Sequence, residues 1–480
     1  LGESLAQLAT GERRGHLESA VLRVVRELTG AVTTALKAET PLMEAGIDSL
    51  GAVELRNVLQ RAAGEGVVLS STLMFDYPTA RQVALHLRGT ESPIARPVGD
   101  NADAALAQSV GEVEVAGLSV VLPANLVDTE SELCNLYRAT ACSMDLLCEI
   151  PLARWDAPRF DEMLVDSPPE VRSRVRHGGF LIGAELFEHT SFSISAAEAA
   201  AMDPQQRQLL ERGYAALHAG GFWRGSLMGA IVAVNVGQWA SEYQSVLLRT
   251  PSGRSVYAST GFSCSVTCGR ISFALGLQGP CASYDTACSA SLVGNHASLR
   301  ALQRGECGAA LSAGVNMMFN PATMIGAAIA GFTSARGRSH TFDNRADGYA
   351  RGEAIVAVSL QLAGSDGAQM VGSAIRQDGR SASLTAPNGQ AQQGVLLASL
   401  QDAGMRASDA TSLEAHGTGT ALGDPVEAGS LAAAYLSGRE RNDEPLTVGS
   451  LKANAGHTEP GAGLAGALKQ LMQLQLQKMP

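Results

Sequence analysis

The sequence predicts a multidomain chain, a small all-α bundle followed by a larger α/β domain, on three observations. Apolar residues recur at three- and four-residue steps through residues 12–88, the spacing of amphipathic helices. The periodicity then lapses over 88–112, where "RGTESPIARPVGDNADAALAQSVGE" gathers Pro, Gly, Asp, Ser and Ala in the manner of an interdomain linker. From 113 onward, runs apolar on both faces alternate with helical stretches, the pattern of a buried, largely parallel sheet covered by helices. A chain of 480 residues has room for roughly two to four domains and a large core.

In the first part, Leu17, Val21, Leu22, Val24, Val25 and Leu28 mark one helix. Pro41 and Gly46 mark a loop, and Asp48 and Ser49 precede a second helix with Leu50, Val53, Leu55, Val58 and Leu59 as its apolar positions. Ser49 therefore stands at a helix N-terminus, where the ordinary job of Ser or Asp is capping. No His and Asp accompany it in a nucleophile arrangement. In the second part, "GAIVAVNVG" (229–237), "AALSAGVNMMF" (309–319) and "AIVAVSLQL" (354–362) read as strands, and 195–218 and 289–303 as helices. Residues 281–286 can be extended, with Cys288 at a sharp turn ahead of helical spacing from Leu292 to Leu302. A sulfur at a helix N-terminus feels the positive end of the dipole, so the expectation for Cys288 is a lowered thiol pKa.

Composition narrows the function. Lys plus Arg number 36 against 47 Asp plus Glu, a net charge of −11, the wrong sign for a binder of phosphate backbones. The eight cysteines form no CxxC pair or Cys/His ladder, so neither a disulfide framework nor a metal site is expected. The longest uncharged stretch, 307–335, is broken by Asn316, Asn320 and Pro321 and cannot supply the roughly 20 apolar residues of a membrane span. The opening residues lack an initiator Met, a basic region and an apolar core of a signal peptide, so the chain reads as part of a longer intracellular, cytoplasmic polypeptide.

Two further stretches, "EAHGTGTALGDPVEAG" (414–429) and "GSLKANAGHTEPGAGLAG" (449–466), each put a histidine in a Gly-rich loop. Glycines let backbone approach a substrate closely, and a neutral imidazole can donate Nε2–H to a carbonyl oxygen. No Lys-Ser/Thr follows the "GTG", so a nucleotide site is rejected. His296 reads as packed, His340 as structural, and His16, His86, His177, His189 and His218 have no companions.

Residues 12–88 resemble an acyl carrier, or phosphopantetheine-attachment, domain through "GIDSL" (46–50), the following "AVELRN" and "LMFDYPTARQVALHL" (73–87). The resemblance implies a four-helix bundle in which Ser49 takes 4′-phosphopantetheine from coenzyme A by way of a phosphopantetheinyl transferase. It also implies that Asp48, Val53 and Arg56 lie on a face met by partner domains. Residues 113–480 resemble the ketosynthase domain of modular type I polyketide synthases through "MDPQQR" (202–207), "DTACSASL" (285–292), "FDNRADGYARGEA" (342–354), "HGTGTALGDPVEAG" (416–429) and "KANAGHTEPGAGLAG" (452–466). That resemblance implies a thiolase-like fold of five layers, two stacked mixed sheets interleaved with helices, normally working as a homodimer. It makes Cys288 the acyl-accepting nucleophile, His416 and His457 the pair that binds the extender thioester carbonyl, and Lys452 their electrostatic support. The expected domains are thus a carrier at 12–88, a linker at 89–112 and a ketosynthase at 113–480.

The implied function is polyketide chain elongation. Acyl chains and malonyl-type extenders arrive as thioesters on carrier domains, and neighbouring synthase domains, including an acyltransferase in the same chain or a separate one, load the extender. Two alternatives stand beside it: a non-elongating scaffold that passes acyl chains on or holds a dimer together, and a fatty-acid-type synthase. Retention of both His416 and His457 weighs against the scaffold. The sequence departs from the family at 113–126, where "VEVAGLSVVLPANL" is a worn opening strand, and at Pro480, where the resemblance implies a further Gly-rich hairpin supplying an oxyanion N–H.

Overall fold

A computed structural model describes residues 10–29, 36–43, 45, 47, 49–63, 69–70, 73–87, 111–123, 132–156, 164–239, 241–364, 367–440 and 443–476. These divide into two compact units, one holding the N-terminal helices together with 376–398 and 425–437, the other holding the main sheet and the remaining segments. Asp48 and nearly all of the expected linker lie outside the described residues.

The N-terminal helices are α1 (Thr10–Thr29), α2 (Ser49–Ala63), α3 (Leu73–Asp76) and α4 (Ala80–Leu87). Their periodic apolar positions meet as predicted: Val21 and Val25 of α1, Leu55 and Leu59 of α2, Leu73 and Met74 of α3 and Val83 of α4 share one buried core with Leu42, Ile47 and Leu69. Arg56, expected on a partner face, donates from Nε to the Leu69 carbonyl at 2.9 Å. It ties α2 to the loop that follows.

Among the described residues the main sheet has five strands, β1 (Val113–Val121), β4 (Val232–Gly237), β5 (Cys281–Tyr284), β6 (Ala309–Asn316) and β7 (Ala354–Leu362), ordered β1-β7-β6-β4-β5. β4 runs parallel to both β5 and β6, whereas β7 is antiparallel to both β6 and β1. The sheet is therefore mixed, not largely parallel as the hydrophobic pattern predicted, because burial on both faces constrains side chains and not strand direction. Two short pairs complete the strands: β2 (Cys148–Glu149) with β3 (His177–Gly178), and β8 (Ser412–Glu414) parallel to β9 (Thr447–Gly449).

The sheet divides two cores by strict alternation. Val232, Val234 and Val236 of β4, Leu311, Ala313 and Val315 of β6, and Ile355 and Ala357 of β7 face one core. Ala233, Ala310, Val356, Val358 and Leu360 face the other. The first face is covered by α5 (Pro204–Ala219) and α6 (Cys264–Leu275), the second by α7 (Ala290–Gln303) and α8 (Ala462–Leu476). The helical stretch predicted at 195–218 is broken at Met202 and Asp203, where Asp203 caps α5 by accepting the Gln205 N–H at 2.8 Å. No helix among the described residues is long and apolar enough to cross a membrane.

Two glycines let α7 approach the sheet. A Cβ at Gly237, the end of β4, would collide with the backbone nitrogen of Ser291 in the first turn of α7. A Cβ at Gly314 of β6 would stand 2.7 Å from Ser291 Cβ and 2.9 Å from Gly461 Cα. Gly314→Ala should consequently lower stability in urea denaturation by about 1–3 kcal/mol, the usual range for overpacking.

Candidate active site

β5 runs into a tight turn before α7. Thr286 precedes a single 3-10 turn, Ala287–Ser289, and Ala287 adopts φ +52°, a left-handed conformation that costs a residue with a Cβ. Asp285 Oδ1 accepts the Ala287 N–H at 3.3 Å and Ser289 Oγ donates to the Thr286 carbonyl at 2.8 Å, which holds the turn. Cys288 thus sits inside the turn, with α7 beginning two residues later, instead of capping the helix.

His416 leaves β8 in a glycine loop with Gly417 at φ +46° and Gly419 at φ +80°. The loop is fastened to 339–349: Thr341 Oγ1 donates to the Gly417 carbonyl at 2.6 Å and Gly348 N–H to the Gly419 carbonyl at 3.0 Å. Asp424, 4% exposed, accepts the N–H groups of Gly419 at 3.0 Å and Phe342 at 2.7 Å. His457 is held from the backbone, donating its N–H to the Ala350 carbonyl at 2.7 Å and accepting the Gly352 N–H at 2.9 Å.

These three chain segments converge. The Cys288 thiol and one ring nitrogen from each of His416 and His457 lie within 4.8 Å of one another. The two imidazoles meet edge to face, with centroids 5.4 Å apart at 89°, and Tyr349 packs against His457 at 4.9 Å and 77°. His457 Nδ1 accepts the Glu459 N–H at 3.2 Å. A nitrogen that accepts cannot hold the proton of a neutral imidazole, so the His457 proton is assigned to Nε2.

Electrostatics keep both rings neutral. Burial pushes His457 well below its ordinary value, and the neighbouring His416, Lys452 and Arg351 push it further. His416, partly open to solvent, is lowered by desolvation and then by the Lys452 charge. Cys288 departs from the sequence expectation: burial raises its thiol pKa, Lys452 opposes the rise and Glu459 adds to it. A short 3-10 turn offers a weak dipole, and desolvation outweighs it.

Lys452, 6% exposed, opens the short helix Lys452–Ala455 after β9. Its charge acts on Cys288 and on both histidines. Nearby Glu414 accepts from Lys469 Nζ at 2.8 Å, and burial raises its carboxyl pKa against the pull of Lys469 and Lys452.

A thiol and two imidazoles at this spacing also resemble a zinc ligand set. Two features argue otherwise: a metal would need the Nε2 lone pair that the Glu459 N–H forces to carry a proton, and Lys452 and Arg351 bias the site against a cation.

Sequence reasoning missed the charged residues behind the site. Arg351, fully buried, donates from Nε and Nη2 to Glu459 at 2.7 and 2.9 Å and from Nη2 to Glu242 at 3.0 Å. Glu353, also fully buried, accepts from Arg154 at 2.9 and 2.7 Å and from the N–H groups of Leu181 at 2.7 Å and Met318 at 2.9 Å. The available signal was "YARGEA", two opposite charges among small residues directly ahead of a strand buried on both faces. Three other histidines have partners of their own: His296 Nδ1 lies 3.0 Å from Ser373 Oγ, His189 Nδ1 lies 2.6 Å from the Ile194 carbonyl, and His86 stacks on Tyr77. Ser49 is the first residue of α2, whose first turn contains no acidic residue.

A mixed α/β scaffold thus brings one half-buried thiol, two neutral imidazoles and a lysine together, a set of groups able to exchange a thioester through sulfur. Residues 111–364 match the β-ketoacyl synthase N-terminal domain, 367–480 the β-ketoacyl synthase C-terminal domain, and 19–87 the phosphopantetheine attachment site. The chain belongs to the β-ketoacyl synthase family and carries a phosphopantetheine attachment domain ahead of the synthase.

Among curated relatives, erythronolide synthase EryA2 of Saccharopolyspora erythraea is 38% identical over 493 residues, covering 100% of this chain and 13% of the relative. Pikromycin polyketide synthase component PikAII of Streptomyces venezuelae is 40% identical over 451 residues, covering 91% of this chain and 12% of the relative. The chain therefore spans about an eighth of the length of these relatives. Among solved structures, the oxazolomycin ketosynthase domain OzmH KS7 of Streptomyces albus JA3453 superposes with a TM-score of 0.69 at 31% identity, over 76% of this chain and 63% of that one. The ketosynthase from module 6 of the bacillaene synthase of Bacillus subtilis 168 gives 0.66 at 28% identity, over 76% and 61%.

The thiol pKa has a direct readout. Iodoacetamide should alkylate Cys288 slowly at pH 8 and at a rate that keeps climbing beyond the ordinary thiol value of 9.0. Lys452→Met removes the charge that favours thiolate, so the profile should move to higher pH and the pH 8 rate should fall severalfold, as measured by peptide mass analysis.

Proposed function

We propose that the chain elongates polyketides, with Cys288 as acyl acceptor, His416 and His457 as the extender site and Lys452 as their electrostatic support. The reading rests above all on the thiol and two imidazole nitrogens within 4.8 Å, with the His457 proton on the nitrogen free to donate. Cys288 attacks the carbonyl of an incoming acyl thioester. A new carbon–sulfur bond forms, the old one breaks, and the thiol proton ends on the departing thiol. A thiolate performs this exchange near neutral pH where a serine would need a stronger base.

A malonyl-type thioester then places its carbonyl oxygen against the histidines. As carbon dioxide leaves, the bonding pair delocalises onto that oxygen, and two neutral N–H donors stabilise the enolate. The nucleophilic carbon attacks the acyl-cysteine carbonyl and expels the Cys288 thiolate, which the Lys452 charge favours. Neutral rings suit this role because they donate without releasing a proton to the carbanion.

The attachment domain fits its group. A helix N-terminus, at the positive end of the helix dipole, favours a phosphodiester, and no carboxylate in the first turn of α2 opposes it. When bound to Ser49, 4′-phosphopantetheine supplies a thiol on a long flexible arm. We assign the carrier to 12–88, the linker to 89–112 and the synthase to 113–480, with a phosphopantetheinyl transferase and neighbouring synthase domains as partners. A homodimer through the synthase is supported by β5, the outermost strand of its sheet, and by Phe273 of α6, 89% exposed. An intracellular, cytoplasmic setting accords with the free thiols among the described residues. The names of the relatives favour polyketide over fatty-acid synthesis. Both histidines facing the thiol favour elongation over a passive scaffold.

Cys288→Ala should abolish acyl loading, whereas His416→Ala and His457→Ala should load normally and lose condensation by about 10²–10³-fold, the scale for one oxyanion donor. Trapped acyl groups are read by intact-protein mass and products by chromatography. A histidine variant that condenses at the parent rate would transfer the reading to the scaffold.

Incubation with coenzyme A and a broad phosphopantetheinyl transferase should add one arm, and Ser49→Ala should add none. An arm retained on Ser49→Ala would remove the assignment.

A further inference from the structure

β8 and β9 deliver two parts of the site side by side. Glu414, the last residue of β8, pairs with Gly449, the last of β9, and the Ala415 N–H donates to the Gly449 carbonyl at 2.8 Å. His416 follows the end of one strand and Lys452 the end of the other. Side chains continue the pairing past the ladder. Ser450 Oγ donates to the His416 carbonyl and accepts the Lys452 N–H, both at 3.3 Å. Glu414 Oε1 accepts the N–H of Leu451, directly ahead of Lys452, at 2.5 Å.

The second oxygen of Glu414 belongs to α8. It accepts from Lys469 Nζ at 2.8 Å, and both side chains are 9% exposed. Two glycines admit the pair: a Cβ at Gly466 would stand 2.8 Å from Glu414 Cγ, and one at Gly449 would stand 3.2 Å from Lys469 Nζ. Near its start α8 is fastened beside the nucleophile, where the Leu464 N–H donates at 3.2 Å to Ser291 Oγ, three residues after Cys288. One helix therefore links the thiol turn to the carboxylate behind Lys452.

A carboxylate this buried requires a cation. Two bear on Glu414: Lys469, in contact, and Lys452. We propose that Lys469 and Glu414 are a positioning pair for the nucleophile, in which Lys469 satisfies Glu414 and so keeps that carboxylate from drawing the Lys452 ammonium away from Cys288. Neither residue is catalytic. Among the described residues, the charges that act on the Cys288 thiol are those of Lys452 and Glu459, with His416 and His457 beside it and the Tyr349 hydroxyl sensing it. The influence of Lys469 must therefore pass through Lys452, and the inference rests on the electrostatic role given to Lys452 above.

The test is iodoacetamide alkylation of the full chain across neutral to alkaline pH, read at Cys288 by fragmentation of tryptic peptide 271–300. Alkylation follows the thiolate. In Lys469→Met the carboxylate turns to Lys452 and neutralises the charge that favours thiolate, so the profile should move to higher pH and the pH 8 rate should fall severalfold. Lys469→Arg should restore the parent profile. In a Lys452→Met background, Lys469→Met should add no further shift, because the group it acts through is gone. Glu414→Gln removes the rival anion while its amide oxygen can still accept the Leu451 N–H, and the profile should move the opposite way, to lower pH. General loosening of the fold would not give opposite signs in the two variants, nor depend on Lys452. A Lys469→Met profile that stays with the parent while Lys452→Met moves overturns the proposal, as does an equal shift in both backgrounds. If Lys469→Met fails to fold, Glu414→Gln decides alone, and a shift to higher pH overturns the proposal. No shift in Lys452→Met itself would remove the electrostatic role of Lys452, and the pair's role with it.

Discussion

The buried guanidinium of Arg351 is the interaction on which the site depends. A charge fully removed from water is tolerated only with partners, and Arg351 has two carboxylates: Glu459 held by two hydrogen bonds and Glu242 by one. Each partner does something further. Glu242 accepts the N–H groups of Phe319 and Asn320, both at 2.8 Å, and so fixes the chain leaving β6. Glu459 is kept at φ +43°, and from that strained position its own N–H reaches His457 Nδ1. The tautomer of His457 is thus set, through Glu459, by an arginine that lies behind the site. Loss of one member of such a group typically costs about 3–5 kcal/mol, because the charge left behind is buried and unpaired.

The surrounding charges compensate one another. Arg351, Lys452 and Lys469 face Glu242, Glu459 and Glu414, three cations against three anions, and Arg154 answers Glu353. The site therefore has a directional field with little net charge. Its positive end, Lys452, lies toward the thiol and the imidazoles, where it favours thiolate and disfavours imidazolium. Burial acts on both group types toward neutrality. The outcome is a reluctant nucleophile beside two dependable hydrogen-bond donors, suited to chemistry that develops negative charge on sulfur and oxygen in turn.

Rigidity comes from the sheet beneath. Alternate residues of β4, β6 and β7 fill separate cores, so neither face of the central strands can shift without disturbing a packed layer. Gly237 and Gly314 admit the first turn of α7 to this platform, and the strained turn at Ala287 then presents Cys288. The attachment domain needs no comparable platform. Its core gathers the short helices around Leu55 and Leu73, and Arg56 is spent on the Leu69 carbonyl within it.

Much of this was legible before any coordinates. Apolar spacing identified the N-terminal helices, continuous apolar runs identified β4, β6 and β7, and ordered motifs brought out Ser49, Cys288, His416, His457 and Lys452, because local periodicity and residue chemistry are written residue by residue. Strand direction was not, since a strand buried on both faces carries the same residues whether it runs parallel or antiparallel, and β7 proved antiparallel to both neighbours. Nor was the sign of the Cys288 shift: a helix start is visible in sequence, whereas desolvation depends on segments more than a hundred residues away. The sequence by itself determined which reactive groups the chain carries, a thiol, two imidazoles and a lysine in glycine-rich motifs. Only the tertiary structure decided their protonation and tautomers, because these follow from burial and from charges such as Arg351, Glu459 and Lys452 that meet only when the chain has folded.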